Sequence, residues 1–321
     1  MHAKQLNQSP PARRMTLSAV KTGKITQPLR VLLYGSEGLG KSTFGSNAPS
    51  PIFLGAEDGT AQLDVARFPE PRSWADALDA VKELSNEKHS FRTLVIDTLD
   101  WLEPFAWRAV CEAGRKSSIE DFGYGKGYVA ALDEWRKLIA ALEPLRHAVG
   151  MHVVLLAHAQ VKLFKNPEGD DFDRYSLKLH EKAAGLTKEW CDAVLFANYE
   201  THVVKDGARS KGYGGGARVI HTERRAAFDA KNRFGLADTM ALDWSEFYGA
   251  VETSRAPGAV AGLREELSSL IARLADSDAR KSKASEWLAT TAAQNADSLR
   301  TTINKVKTFL GESNGSEGVQ S

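Results

Sequence analysis

The sequence predicts an α/β protein with a mostly parallel central sheet flanked by helices, and three observations predict it. Residues 35–42 read Gly-Ser-Glu-Gly-Leu-Gly-Lys-Ser and follow directly on the apolar run Leu29–Tyr34. Further apolar runs recur at Pro51–Leu54, Thr93–Asp97, Val153–Ala157 and Ala193–Asn198 without strict alternation, as expected of strands buried on both faces. Helix-patterned stretches separate the earlier runs: Lys41–Asn47, Ser73–Leu84 and Val129–Ala148, the last with Leu132, Trp135, Leu138, Ile139 and Leu142 at helical spacing. Strands alternating with helices imply a parallel sheet covered on both sides.

Each element of the first motif has a chemical reason. Its glycines let backbone N–H groups turn inward and cradle phosphates, Lys41 can reach the β/γ-phosphates, and the Ser42 hydroxyl can sit on Mg²⁺. The chain then enters a helix at Lys41, whose N-terminal end faces the same anion. Gly35, Ser36, Glu37, Gly38, Leu39, Gly40, Lys41, Ser42 and Thr43 are therefore the candidate nucleotide-binding residues, with ATP and Mg²⁺ as the expected cofactors. A second motif lies about 55 residues further on, where Thr93–Asp97 ends an apolar strand in a carboxylate. Asp97 in that place holds Mg²⁺ opposite Ser42. Thr98 and Asp100 follow and are candidates to support the metal shell. Glu57, at the tip of Ile52–Ala56, occupies a place from which a carboxylate orients the attacking water. A solvated loop acid is the other reading of Glu57, because Asp58 sits beside it.

Composition bounds the function classes. Net charge is +1, so bulk charge gives no argument for nucleic acid or membrane, and any DNA site must be a local patch. Cys111 and Cys191 stand far apart with no CxxC partner, which excludes a disulfide framework or a cysteine-based zinc site and suits a reducing cytosol. The longest apolar stretches are of strand length, well short of a membrane span. Arg13 and Arg14 have no apolar run after them, so no signal peptide is expected.

The chain divides into a flexible arm at 1–27, an ATPase core at 28–255, a linker at 256–262, a helical unit at 263–310 and a disordered tail at 311–321. In the core, Thr201–Val204 and Arg218–Thr222 flank a Gly/Lys-rich stretch and suggest a hairpin with a mobile tip, and Phe228–Phe234 reads as one more strand. In the helical unit Leu263, Leu267, Leu270, Ile271 and Leu274 make one amphipathic stripe and Leu299, Ile303, Val306 and Leu310 another.

Taken in order, GSEGLGKS (35–42), IFLGAEDG (52–59), TLVIDTLD (93–100), FGYGKGY (122–128), VVLLAHAQ (153–160) and AKNRFGL (230–236) resemble the RecA-like P-loop ATPase core over about residues 28–250. More closely, the chain is similar to phage-encoded single-domain RecA/RadA-like proteins that act as single-strand annealing recombinases. The resemblance implies roles by position. Glu57 matches the catalytic carboxylate. His158 or Gln160 matches the polar residue that senses the γ-phosphate. Lys231 and Arg233 resemble the basic pair that such proteins insert into a neighbouring subunit's active site, which implies a homo-oligomer with its site at the subunit interface.

The resemblance also implies single-stranded DNA as partner, bound through two mobile loops. The first candidate is Arg115–Tyr128, with Arg115, Lys116, Tyr124, Lys126 and Tyr128 among three glycines. Basic groups neutralise phosphates, aromatic rings stack on bases and glycines let the loop conform. The second is Lys162–Lys188, with Lys162, Lys165, Arg174, Tyr175, Lys178 and Lys182, weakened by Glu168, Asp170, Asp171 and Asp173. The hairpin tip Lys205–Gly216 is a third. The expectation is a DNA-stimulated ATPase that promotes annealing or recombination in the cytoplasm, that of a bacterial host if the chain is phage-encoded, with a single-strand-binding or replication protein as a further partner. Two rivals stand beside it: a nucleotide-gated replication accessory or loader factor that docks a protein through 263–310, and, more weakly, a small-molecule kinase.

Overall fold

The computed structural model describes residues 16–20, 22, 25–55, 59–206, 209–255, 258–275, 278–289 and 296–310, and the side chains of 18, 201–215, 259–261, 296–298 and 300 lie outside that description. Glu57, most of the expected arm, the tail, and the side chains of the Lys205–Gly215 tip therefore fall outside it.

The chain opens with β1 (Arg30–Gly35), α1 (Lys41–Ser46), β2 (Pro51–Gly55) and the short β3 (Ala66–Arg67). It continues through α2 (Trp74–Asn86), β4 (Thr93–Asp97), α3 (Leu99–Gly114), α4 (Lys126–Pro144), β5 (His152–Phe164), β6 (Phe172–Leu177) and α5 (Glu181–Trp190). Next come β7 (Ala193–Asp206), β8 (Arg209–His221), β9 (Lys231–Asn232), β10 (Thr239–Ala241) and α6 (Trp244–Arg255), and then α7 (Ala259–Ala272), α8 (Ala279–Leu288) and α9 (Ala296–Phe309). The strand order is β10-β8-β7-β1-β5-β4-β2-β3, with β6 on β5 and β9 on β7. The six strands from β7 to β3 pair in parallel. β5 stands between β1 and β4, so the phosphate-loop strand and the strand ending in Asp97 are not neighbours.

The apolar runs lack alternation because both faces of the sheet are covered. Leu32, Tyr34, Leu94, Ile96, Val153 and Leu155 face one core with α2, α3 and α4. Val31, Leu33, Val95, Val154 and Leu156 face the other, with Phe44 of α1 and Trp244, Phe247 and Val251 of α6. Phe44 lies edge-on to Trp244 at 5.3 Å and tilted against Phe247 at 5.9 Å, geometries that suit the aromatic quadrupole. No helix was expected at 244–255, yet α6 closes this face. Phe228–Phe234, read as a strand, contains only the two-residue β9 and isolated bridges.

Two strands outrun the parallel sheet. β5 pairs β1 only as far as His158 and then continues as a hairpin with β6, through Phe164↔Phe172. β7 pairs β1 only as far as Ala197 and continues with β8 to Asp206↔Arg209. The end of β1 therefore lies between two projecting antiparallel hairpins. The second expected DNA loop, Lys162–Lys188, is corrected by this: β5, β6 and α5 occupy most of it. Phe164 and Phe172 pack at 5.2 Å, and Asp171 accepts from the Asn166 N–H and Lys165 Nζ to fix the turn.

At the C-terminal end, α7, α8 and α9 bury Leu267, Leu270, Ile271, Leu274, Leu299, Ile303 and Val306 in a core of their own. α7 begins at Ala259, inside the stretch read as a linker.

Phe247 is fully buried between α1 and the sheet. Phe247→Ala should cost about 3–5 kcal/mol of unfolding free energy in urea titrations. A loss below about 1 kcal/mol would mean that α6 does not belong to this core.

Candidate functional site

The loop from Gly35 to Ser42 joins β1 to α1. Gly35 has no room for a side chain, since a Cβ there would meet the Ala197 carbonyl of β7. Gly40 has φ +94°, in the left-handed region that favours glycine, and turns the chain into α1. Leu39 plugs the loop into the core while Ser36, Glu37 and Gly38 stay exposed and Thr43 faces solvent on α1. Lys41 is buried, and its Nζ donates to the carbonyls of Ser36 at 2.8 Å and Gly35 at 3.3 Å, which folds the ammonium back over the loop.

The Ser42 hydroxyl donates to Asp97 Oδ2 at 2.6 Å, so the two metal candidates meet although 55 residues separate them. Burial pushes the Asp97 carboxyl above its ordinary value against the pull of the Ser42 hydroxyl and the Lys41 ammonium. A hydroxyl and a carboxylate are hard oxygen donors, and Mg²⁺ is commonly held by one or two such protein groups plus substrate phosphates. No cluster of three His, Cys, Asp or Glu suited to a metal occurs among the described residues. The pair thus fits a cation that shares its shell with a phosphate chain. Gly59, just after the segment that holds Glu57, lies beside Ser42, where a Cβ would be 3.8 Å from its Oγ.

His158 lies opposite Gly35 in the β1–β5 register. Asp100 accepts from its backbone N–H at 2.9 Å, and its other oxygen lies 2.8 Å from Nδ1. Burial pushes the Asp100 carboxyl up, but these contacts outweigh it and hold the group below its usual range. Asp100 was expected to support the metal shell. Both its oxygens are engaged with His158, which orients that ring. Of the two sensor candidates, His158 stands beside the phosphate loop, while Gln160 Nε2 donates to the Leu177 carbonyl of β6 at 2.9 Å.

Other expectations need correction. Lys231 Nζ donates to the carbonyls of Lys188, Glu189 and Cys191 at 3.0, 3.0 and 2.7 Å. Its ammonium satisfies the orphan carbonyls at the end of α5 and does not project as half of a basic finger. Arg233 is half exposed and pairs with Asp192 at 3.3 Å. β9 pairs with Ala193 and Val194, at the opposite end of β7 from the phosphate loop. That separation is roughly 13 Å along the sheet, so neither residue serves its own chain's site. Arg174 is buried and held by Asp229 at 2.6 Å, which removes it from any DNA surface.

The first expected loop is partly ordered. α3 ends at Gly114, Arg115 takes φ +52°, and a 3-10 turn covers Ile119–Phe122. Arg115, Lys116, Tyr124 and Lys126 are exposed on it. Tyr128 instead lies in α4, donates to Glu120, meets Trp107 edge-on and stacks on His180 at 4.3 Å. Lys162 is exposed on β5, and Lys165 is tied to Asp171.

This geometry is that of a P-loop nucleotide-binding core: a phosphate loop after a central parallel strand, a hydroxyl–carboxylate pair at its mouth, and a polar residue on the intervening strand where its pairing with β1 stops. The chain belongs to the AAA domain family, whose model matches residues 27–234. Over 138 residues it is 30% identical to the SPbeta prophage-derived uncharacterized protein YorG of Bacillus subtilis (strain 168), a stretch that spans 40% of this chain and 40% of that protein. Its similarity to the crystal structure of the RadB recombinase has a TM-score of 0.36 at 13% identity, covering 63% of this chain and 84% of that one. None of the described helices is long and apolar enough to cross a membrane.

One turn after Asp100, both oxygens of Glu103 lie within hydrogen-bonding reach of the His180 N–H, at 3.1 and 3.0 Å. Burial pushes this carboxyl up to about 7 from 4.5. Between those values the folded state holds a proton that the unfolded chain releases, so stability falls as pH rises through the window and stays lower above it. The wild type should lose roughly 2–3 kcal/mol from pH 4.5 to 8 through this group. Urea titrations across pH should show a flatter profile for Glu103→Gln; an unchanged profile would rule the group out as the source.

Proposed function

We propose that the protein binds and hydrolyses Mg-ATP on Gly35–Ser42 and couples that cycle to binding of single-stranded DNA, promoting annealing or recombination in a bacterial host cytoplasm. The contact between Ser42 and Asp97 carries the reading. A hydroxyl and a carboxylate 2.6 Å apart at the end of a phosphate cradle suit a nucleotide-bound cation better than a structural role. Mg²⁺ held by these oxygens would supply charge neutralisation on the phosphate chain. Lys41 offers its ammonium to the same chain, and Glu57, two residues before Gly59, is the carboxylate to orient water.

The DNA half of the reading is supported by connectivity. His158 accepts from the Lys178 N–H through its carbonyl at 2.9 Å, and Lys178 leads to His180, which stacks on Tyr128 at the end of the Arg115–Tyr128 segment. A change of phosphate state at His158 thus has a packed route to the exposed Arg115, Lys116, Tyr124 and Lys126. Arg233 is the remaining candidate for insertion into a neighbouring subunit.

A second reading is favoured by the C-terminal core. A cavity of about 300 Å³ lies between Leu236, Ala250 and Thr253 on one side and Leu263, Ile303 and Lys307 on the other. In this reading nucleotide state governs docking of a protein partner through 263–310. Loss of function on removing 263–310 with DNA binding intact favours it. Loss on neutralising Arg115 and Lys126 favours the DNA reading.

ATP turnover should rise with single-stranded DNA, and Lys41→Ala should lower it by about a hundredfold or more under both conditions. Turnover indifferent to DNA in the wild type would sink the coupling.

A further inference from the structure

Arg218 lies where β8 leaves a bulge. Tyr199↔Arg218 and Thr201↔Gly214 are successive pairs of the β7–β8 ladder, so three residues of β8 oppose one of β7. Gly216, inside this bulge, has φ +72°. Bulges increase local twist and re-aim the side chain that follows. Here the side chain that follows is aimed at the phosphate loop. A Cβ on Gly40 would be 3.0 Å from Arg218 Nη1, which places the guanidinium over the loop at Gly40. The residue is exposed, and its side chain has no hydrogen bond or ion pair among the described residues. Its main chain is held: the Leu242 N–H donates to the Arg218 carbonyl at 3.0 Å.

A guanidinium with five donors, no acceptor among the described residues and an anion cradle beneath it is arranged to receive a phosphate oxygen. The loop's geometry decides which one. Backbone amides of such loops hold the α/β-phosphates, while Lys41 reaches toward β/γ and Ser42 toward the cation. Arg218 Nη1 stands by Gly40, a residue of the loop whose backbone amides those phosphates meet. We infer that Arg218 is a nucleotide-binding residue of this same chain, donating to the α/β-phosphates of both ATP and ADP. The inference rests on the nucleotide-site reading and deepens it. It assigns Arg218 to nucleotide retention, distinct from the role in trans proposed for Arg233. It also ties the β7–β8 hairpin to site occupancy, because the residue that would grip the phosphates belongs to that hairpin.

Calorimetric titration of the full chain with Mg-ADP and with a non-hydrolysable Mg-ATP analogue tests this. Arg218→Ala should weaken both about tenfold or more, and Arg218→Lys should recover part of the loss for both. An alanine variant that binds both nucleotides as the wild type does overturns the inference. A loss confined to the triphosphate analogue also overturns it, since that would place the guanidinium at the γ-phosphate. If the wild type itself bound neither nucleotide, the nucleotide-site reading would fall first and the inference with it. Unligated melting curves of the three proteins should coincide, as expected for an exposed side chain.

Discussion

The register of β1 between two parallel neighbours is the constraint on which this molecule depends. Hydrogen bonding to β5 on one side and β7 on the other sets Gly35 opposite both His158 and Ala197. The phosphate loop, the polar residue at which β5 leaves β1 and the carbonyl that excludes a side chain at Gly35 are thereby set level. A slip of one residue in β1 would exchange the two cores, putting Leu32 and Tyr34 where Val31 and Leu33 belong. The apolar content of β1 fixes the site because both of its faces are occupied.

The site itself gathers ionisable groups in a low-dielectric setting and answers the two buried carboxylates among its described residues. Asp97 is opposed by Ser42 and Lys41, and Asp100 by His158. Away from the site, Arg30, Arg146 and Arg233 converge on Asp192 at the opposite end of the strands. Unpaired, such groups would cost several kcal/mol each. The polar groups at the two ends of the central strands are therefore built differently. One end is closed by ion pairs and by the Lys231 ammonium on three carbonyls, while the other presents an anion cradle with its cations folded over it.

Much of this was legible from residue order. The phosphate loop has a fixed spacing because backbone turns and side-chain reach impose one, and Asp97 follows from an apolar strand ending in a carboxylate. The five long parallel strands could be read because burial on both faces leaves unbroken apolar runs. The hairpin at Thr201–Thr222 was legible from its Gly/Lys-rich tip, but the β5–β6 hairpin was harder. Val161 and Leu163 alternate with Lys162 on a strand that leaves the sheet, and the polar, acidic turn after them has the composition of a loop. Arg174 and Lys231 looked like surface cations because nothing local announces Asp229 or the carbonyls of α5, which are brought to them only by tertiary packing. Arg218 carried no local signal either, since a bulge is visible only once β7 and β8 are paired.

The β7–β8 hairpin has a mechanical consequence. Beyond Ala197, where pairing with β1 stops, the ribbon runs from the pair Tyr199↔Arg218 to Asp206↔Arg209, seven residue steps of β7 or about 23 Å. Such a ribbon is a lever whose pivot lies beside the phosphate loop. A tilt of a few degrees at the pivot, far too small to disturb the packed sheet, sweeps the far end through a couple of ångströms. The sheet can therefore remain rigid while the reach of the molecule changes.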